Sequence, residues 1–440
     1  MTLPTYPRYK DSGISWIAAV PSGWEVTPLL GVARERYESN AGMKENNLLS
    51  LSYGRIVRKD LESNDGLLPE SFETYQVVQP GDTIFRLTDL QNDQRSLRTG
   101  LVLETGIITS AYLCVEPMGI DPNYFSYLLR FYDLSKTFYS MGGGLRQSMK
   151  YADVKRLPVL IPSKSEQMSI ADFLDRETAK IDALIAEQEK LLALLAEKRQ
   201  ATISHAVTRG LNPDTPLKDS GIRWLGQVPA HWEVKQLKHV ARPGTAITYG
   251  IVQAGPHYDG GVPYIRTSDM SGDRLPLHGY ALTSPEIDAS YTRSKVAAGD
   301  LVIAIRATVG KCLPVPPELD GANLTQGTAK VSPGDEVVPA FLLSSLRSNA
   351  TLAYFDSMAK GATFKEITLD ALRRAPVLRP SKEEQLEIAR FIEGETGKLD
   401  SLQTDAERAI DLLKERRSAL IAAAVTGQID VRGAVEVQAA

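Results

Sequence analysis

Few residues in this 440-residue chain stand at spacings that catalysis requires. Asp121-Pro122-Asn123-Tyr124 comes nearest to the acidic-or-polar, Pro-Pro, aromatic string of an amino-group methyltransferase. It lacks the second Pro, no Gly-rich cofactor loop accompanies it, and a Pro-started helix N-terminus accounts for it. Pro213-Asp214 precedes Glu233-Val234-Lys235 at a distance compatible with a metal-dependent nuclease. Asp214, however, sits in a linker-like NPDTP, and Glu25, the counterpart of Glu233, is followed by Val26-Thr27 without Lys. A framework salt bridge explains Glu233 better. No G-x-x-x-x-G-K-[ST] loop is present, so no P-loop nucleotide site is visible. His205, His231, His239, His257 and His278 show no H-x-x-x-H spacing, and Cys114 and Cys312 have no CxxC partner. Neither a metal site nor a disulfide framework is expected, and the cysteines read as small buried apolar residues. The chain is not expected to be an enzyme by itself, and no cofactor is expected on it.

Other residue types suit recognition. Arg and Lys pair with guanine, and Asn and Gln with adenine, in the major groove. Polar and basic residues cluster at the ends of apparent strands: Arg86, Thr88, Asp89, Gln91, Arg95 and Arg98 in the first half, and Arg266, Thr267, Ser268, Arg306, Lys311 and Gln326 in the second. The Gly-rich, basic segment 141–150 carries Arg146 and Lys150, and its counterpart 360–365 carries Lys360 and Lys365. Exposed backbone amides with nearby cations suit phosphate. The formal net charge of −4 runs mildly against nucleic acid. It is unevenly spread: residues 380–440 hold 8 basic and 12 acidic side chains, and residues 212–379 hold 18 and 16. The globular parts are therefore free to present a local basic face.

The elements that must position these residues are written twice. DSGISWIAAVPSGWEV (11–26) returns as DSGIRWLGQVPAHWEV (219–234), 208 residues later, and all four tryptophans lie in these two segments. PSKSEQMSIADFLDRET (162–178) returns as PSKEEQLEIARFIEGET (380–396), 218 residues later, and EKRQATISHAVTRG (197–210) as ERRSALIAAAVTGQ (415–428). A fainter echo at 218 relates PGDTIF (80–85) to AGDLVI (298–303). Each half is a Trp-bearing opening, a divergent body and a closing segment. Two bodies on one framework suggest two targets read by one method.

The closing segments read as long helices. Ser163-x-x-Glu166 and Ser381-x-x-Glu384 fit the capping box, and apolar residues follow at helical spacing. One position recurs by sevens: Leu174, Ile181, Gln188, Leu195 and Thr202, with Ile392, Leu399, Ala406, Leu413 and Leu420 as counterparts. This is a heptad seam. Without Pro or Gly between 163 and 209, a helix of roughly 44 residues would run about 65 Å. It cannot bury its stripe alone, and its own repeat is the available partner, antiparallel if a pseudo-two-fold relates the halves. The bodies mix strands at 82–90, 108–117, 301–310 and 328–332 with helices at 124–134 and 339–348. The expected class is α/β (α+β): two mixed α/β bodies on two long antiparallel coiled-coil helices. The expected division is a first body at 1–162, a first helix at 163–210, a second body at 211–380, a second helix at 381–428 and a tail at 429–440. No run approaches the roughly 18 apolar residues of a membrane span, and the N-terminus lacks a signal-peptide pattern, so a cytoplasmic protein is expected.

The paired D-S-G-I-x-W … V-P-x-x-W-E-V openings and P-S-x-x-E-Q … I-A-x-F-[LI] … E-T closings resemble the specificity subunit of type I restriction–modification systems (the HsdS family) over nearly the whole chain. The resemblance implies that each body is a target-recognition domain for one half of a split double-stranded DNA site, with the coiled coil as a ruler for the gap. It further implies that two methyltransferase subunits dock on the repeated framework, bringing S-adenosylmethionine. Restriction subunits, translocase and endonuclease, would bring ATP and Mg. A rival reading is a coiled-coil adaptor whose bodies bind protein; it explains the helices equally well and the divergent bodies less naturally.

Overall fold

A computed structural model describes residues 4–59, 71–90, 93, 96–141, 149–361 and 365–434. The chain divides into two compact units, Met1–Glu189 with Arg408–Ala440, and Lys190–Glu407. The second is one contiguous stretch and the first is not, and each takes one end of each long helix.

In both units a four-stranded antiparallel sheet forms the centre of the body. In the first unit it comprises β1 (Ala33–Arg36), β2 (Thr83–Phe85), β3 (Thr99–Leu101) and β4 (Leu113–Pro117), in the order β1-β4-β2-β3. Helix α1 (Pro122–Leu134) follows, with Pro at its first turn and Asp121 capping the Tyr124 amide at 2.9 Å. In the second unit the strands are β5 (Thr248–Tyr249), β6 (Leu301–Ala304), β7 (Cys312–Pro314) and β8 (Thr328–Val331), in the order β5-β8-β6-β7. Helix α3 (Pro339–Leu346) again starts on Pro. The two sheets share one strand order, so the repeat continues into bodies whose sequences have diverged. The expected strand at 108–117 is two strands, since Gly106–Ile108 pairs with Gln76–Val78 and a turn precedes β4. What differs is attached at the margins. The first body adds the hairpin Leu49–Ser52/Arg55–Arg58; the second adds Val262–Ile265, Ala281–Thr283 and Asn323–Leu324 over a small core of its own.

The two long helices are α2 (Lys164–Arg209, 46 residues) and α4 (Lys382–Val425, 44 residues), about 69 and 66 Å at 1.5 Å per residue. In the first unit Ile170, Phe173 and Leu174 share a core with Ile421, Ala424 and Val425. In the second, Ile203, Ala206 and Val207 share one with Ile388 and Ile392. The start of each helix thus meets the end of the other, and the pair is antiparallel. The heptad seam is the inner face: Leu174, Ile181, Leu195, Ile392, Leu399 and Ala406 are buried. Leu184, Leu191, Phe391 and Leu402, apolar at helical spacing, lie on the exposed side.

The repeated motifs turn out to be one clamp made twice. The W-E-V strand pairs with the strand before each long helix, Glu25–Pro28 with Pro158–Ile161 and Glu233–Gln236 with Pro376–Arg379. Trp24 and Trp232 are buried beneath, and each indole N–H donates to the glutamate of the S-x-x-E motif, to Glu166 Oε1 at 3.1 Å and Glu384 Oε1 at 2.9 Å. This corrects the capping-box expectation. Ser381 does accept from the Glu384 amide at 3.2 Å, but the glutamate side chains serve the tryptophans. The adjoining glutamines tie the body on: Gln167 Oε1 accepts the Asp121 N–H and Gln385 Oε1 the Val338 N–H, both at 2.8 Å, ahead of α1 and α3. Each long helix ends on a left-handed glycine beside a clamp Trp. A Cβ on Gly210 would stand 3.3 Å from Trp232, and one on Gly427 would stand 3.2 Å from Trp24 and 2.4 Å from Pro21.

Candidate nucleic-acid interface

The recognition candidates of the first body leave the end of β2. Leu87 is buried, so its neighbours Arg86 and Thr88 turn the other way and are half-buried. Asp89 is exposed and left-handed at φ 57°. The Met149 amide donates to the Leu87 carbonyl at 2.9 Å, which brings exposed Lys150 beside this strand end. Lys150 opens the helix Tyr151–Val154, its own amide held by Asp153 at 2.8 Å. Arg98 requires correction as a base reader. It is fully buried, with its guanidinium donating to the carbonyls of Thr88 at 3.1 Å, of Asp89 and of Asp93, and to the Tyr139 hydroxyl at 3.1 Å. Arg98 shapes the loop that carries Thr88 and Asp89 and offers no donor to a ligand. Gln91, Arg95 and Arg146 lie outside the described residues.

In the second body the candidates converge at the matching end of the sheet. The Ile305 amide donates to Gly327 O at 2.9 Å, and the Thr325 amide to Ile265 O at 3.1 Å. These bonds draw the segments bearing Arg266–Ser268, Arg306 and Gln326 together. A Cβ on Gly327 would stand 3.2 Å from Thr267 Oγ1 and 3.9 Å from Arg306 Cβ, so the three segments approach closely here. Glu366 adds the basic segment, bridging in backbone to Arg306 and to Lys360. The Ala307 amide donates to Lys365 O at 3.0 Å. Lys311 stands beyond the turn at 307–310, facing Asp273 at 3.4 Å.

One backbone feature is common to both sites. Ala307 has φ 60°, and it stands 218 residues after Asp89. Non-glycine residues rarely take this conformation, and it costs on the order of 1 kcal/mol or more where they do. Both loops therefore leave their sheets by the same strained step, which lies beyond the PGDTIF/AGDLVI echo (80–85 and 298–303) and could not be read from it.

The cations are held by carboxylates. Arg266 pairs with Asp269 at 2.9 Å, Arg306 with Glu366 at 3.0 Å, Arg86 approaches Asp93 at 3.6 Å, and Lys365 pairs with Asp356. These pairs are half-buried to exposed, and such pairs contribute about 0–1 kcal/mol each. A phosphate or a guanine edge can displace the carboxylate at little cost. The nuclease-like Glu233 is taken up by Arg379 and Lys235, which hold its carboxyl below the usual range. Among the described residues no group of three or more His, Cys, Asp or Glu is arranged for a metal. No helix among them is long and apolar enough to cross a membrane.

Two bodies of one topology, each with a polar strand-end site, on one antiparallel helix pair: this is a duplicated recognition fold. The same architecture occurs in solved proteins. A chain from a structure entitled "Structural basis underlying complex assembly and conformational transition of the type I R-M system" matches 93% of this chain and 99% of itself, with a TM-score of 0.62 at 18% identity. The HsdS subunit from Thermoanaerobacter tengcongensis matches over 93% and 98%, with a TM-score of 0.52 at 17% identity. Residues 229–408 match the family described as the type I restriction modification DNA specificity domain. In sequence the chain is 28% identical to the type I restriction enzyme EcoBI specificity subunit of Escherichia coli over 281 residues, 63% of this chain and 59% of that protein. It is 24% identical over 96% of its length to the putative type I restriction enzyme MjaX specificity subunit of Methanocaldococcus jannaschii, of which it covers 98%. The resemblance carried by the paired Trp and Pro-Ser motifs is borne out: this chain is a relative of type I specificity subunits.

Sequence reasoning missed two residues. Arg130 and Arg347 each stand eight residues after the first proline of α1 and α3. Arg130 lies within α1, whereas Arg347 is the residue just past the end of α3.

Proposed function

We propose that this chain is the non-catalytic, sequence-specific DNA-binding subunit of a type I restriction–modification complex. Each body reads one half of a bipartite site, the first with the loop at 86–89 and Lys150, the second with the cluster of Arg266, Thr267, Ser268, Arg306, Gln326, Lys360 and Lys365, with Lys311 beside it. Gln91, Arg95 and Arg146 remain candidates by position in sequence. The antiparallel helices set the gap between half-sites and carry two methyltransferase subunits and the restriction subunits. S-adenosylmethionine, ATP and Mg belong to those partners, and the complex works in the cytoplasm. The observation that carries this reading is the matched pair of sheets, each ending in a polar loop that departs through the same left-handed step while the loop sequences differ.

A genome-wide map of adenine methylation, with and without the gene, tests it. Loss of one motif, two short half-sites around a fixed gap, is the expected result. An unchanged map, together with DNA binding by the complex that does not weaken with salt, favours the protein-binding adaptor. The ruler is tested separately. Inserting one helical turn near Glu189 adds about 5.4 Å, which changes the tolerated gap by about two base pairs at 3.4 Å each; an unaltered gap in the methylation motif sinks the ruler.

A further inference from the structure

The hairpin added to the first body, Leu49–Ser52 paired with Arg55–Arg58, turns through Tyr53 and Gly54. Both turn residues are left-handed, at φ 45° and 76°, as a type I′ turn requires. Asn, Asp and Gly suit the first of these positions, and a bulky side chain there is strained. Tyr53 gains no burial in return. It is 84% exposed, more than any other large hydrophobic side chain among the described residues, while Gly54 beside it is buried. Strain of this kind gathers where a side chain is held out for a ligand.

The turn is firmly held. Arg130 of α1 donates from Nη2 to Gly54 O, and a Cβ on Gly54 would collide with that guanidinium. Arg55 pairs with Asp182 of α2 at 2.8 Å, and Asp182 pairs in turn with Arg417 of α4 at 2.9 Å. Three contacts fix where the tip lies. At the base of the hairpin Arg58 pairs with Glu104, beyond the end of β3. Midway, a Cβ on Gly100 of β3 would stand 2.6 Å from Leu51 Cδ1 and 3.2 Å from Ile56 Cδ1. At the tip, the same Arg130 Nη2 reaches Thr99 O at 3.4 Å. The hairpin therefore runs along β3 from residue 104 back to Thr99. Thr99 directly follows the loop that leaves β2 at Arg86 and returns at Arg98, where the Arg86 N–H donates to Arg98 O at 2.8 Å. Arg347 makes the matching bond in the second body, from Nε to the carbonyl of Cys312, the first residue of β7, at 2.8 Å. Tyr53 thus stands at the recognition end of the first sheet, beside the loop at 86–89.

We propose that Tyr53 reads a base of the first half-site, its ring set against the groove edge of a base pair next to those met by the loop at 86–89. The inference rests on the reading of the chain as a DNA-binding subunit. A two-stranded ribbon is narrow enough to enter the major groove, and an aromatic ring there makes the apolar contact that distinguishes a thymine methyl. Tyr53 is uncharged and adds no attraction to phosphate. What it adds is ring area at a fixed place, which a base edge can distinguish. The hairpin belongs to one body and not to the repeated frame, so it matches what differs between the halves, the sequence each one reads.

The methylation map first supplies the motif. The methyltransferase complex is then assembled with the wild-type chain, Y53F or Y53N. Methylation rates are measured on duplexes changed one base pair at a time across both half-sites, and melting is followed by circular dichroism. Asn suits the turn better than Tyr, so Y53N is expected to melt no lower than the wild type. It is nevertheless expected to lose about tenfold in discrimination at one base pair of the first half-site, while the second half-site stays strict. Y53F keeps the ring and the discrimination. Unchanged discrimination in Y53N overturns the proposal. So does an equal slowing on every duplex, which makes the tip a backbone contact, and so does failure of Y53N to join the complex, which makes it a protein contact. A wild-type complex that methylates no bipartite site overturns the functional reading itself, whereas a strict wild-type motif that Y53N leaves intact overturns only the role of Tyr53.

Discussion

The same bond is made in two different settings at the two clamps. In the first unit Glu166 is 8% exposed and accepts from Trp24 and, at 2.7 Å, from the Tyr6 hydroxyl. Arg432 lies over the Tyr6 ring at 4.9 Å and pairs with Asp430, whose amide donates to Pro4 O at 2.7 Å, so the two chain ends close over the carboxylate. Burial and the neighbouring Glu166 raise the Tyr6 pKa far above its ordinary value, keeping the hydroxyl a donor. In the second unit a continuous chain takes the place of the two ends, and Glu384 meets Trp232 and an exposed His231 at 2.9 Å. One clamp is dry and the other wet. Desolvation multiplies the consequence of losing a partner, because water can replace a donor only where it can enter.

The comparison predicts unequal losses from equal substitutions. Trp232→Ala is expected to cost about 3 kcal/mol, the ordinary cost of emptying a buried aromatic site. Trp24→Ala is expected to cost about 5 kcal/mol, since it also strips a donor from a buried carboxylate. Denaturant unfolding of the two variants measures both. Equal losses, or a larger one for Trp232, would remove the distinction between the clamps. In whatever fraction folds, the methylation motif is expected to stay the same, because each indole's hydrogen bond goes to the start of a long helix and not to a recognition residue. A changed motif would show that the frame and the reading loops are not separate.

How much of this could be read beforehand follows the same division. The tryptophans, the Pro-Ser starts and the heptad seam depend on side-chain type at fixed spacing, and they located the helices and the clamp segments correctly. The partner of Glu166 and Glu384 could not be read. A capping box and an indole acceptor look alike when only one strand of the contact is visible, and Trp24 lies 142 residues from Glu166. The sheets were half legible. Gly81 and Gly299 mark matching turns with positive φ, yet the shared strand order lies in hydrogen bonds between segments with little common sequence. The recognition residues were the least legible. Arg86 and Arg98 look equivalent as letters, but one is left half-buried at the end of its strand, and a ring of carbonyls takes in the other.

That contrast between arginines gives the smaller and sharper test, set by comparing Arg98 in the first body with Arg306 in the second. Arg98→Ala removes a buried guanidinium and leaves the carbonyls of Thr88, Asp89 and Asp93 without their donor. The expected cost is about 2–4 kcal/mol of stability in the first unit. Recognition of the first half-site should relax as the loop loses its shape, while the second half-site stays strict. Arg306→Ala breaks only a half-exposed pair with Glu366, for under about 1 kcal/mol. Its effect should fall on DNA instead. Loss of a guanine contact relaxes one base of the second half-site by about 1–3 kcal/mol, and loss of a phosphate contact weakens all sequences evenly and flattens the salt dependence by about one unit. Melting each variant and mapping its methylated sites separates the four outcomes. If Arg306→Ala unfolds the second unit while Arg98→Ala leaves stability untouched and shifts one base, then the buried arginine is the reader, and the assignment of roles from burial is reversed.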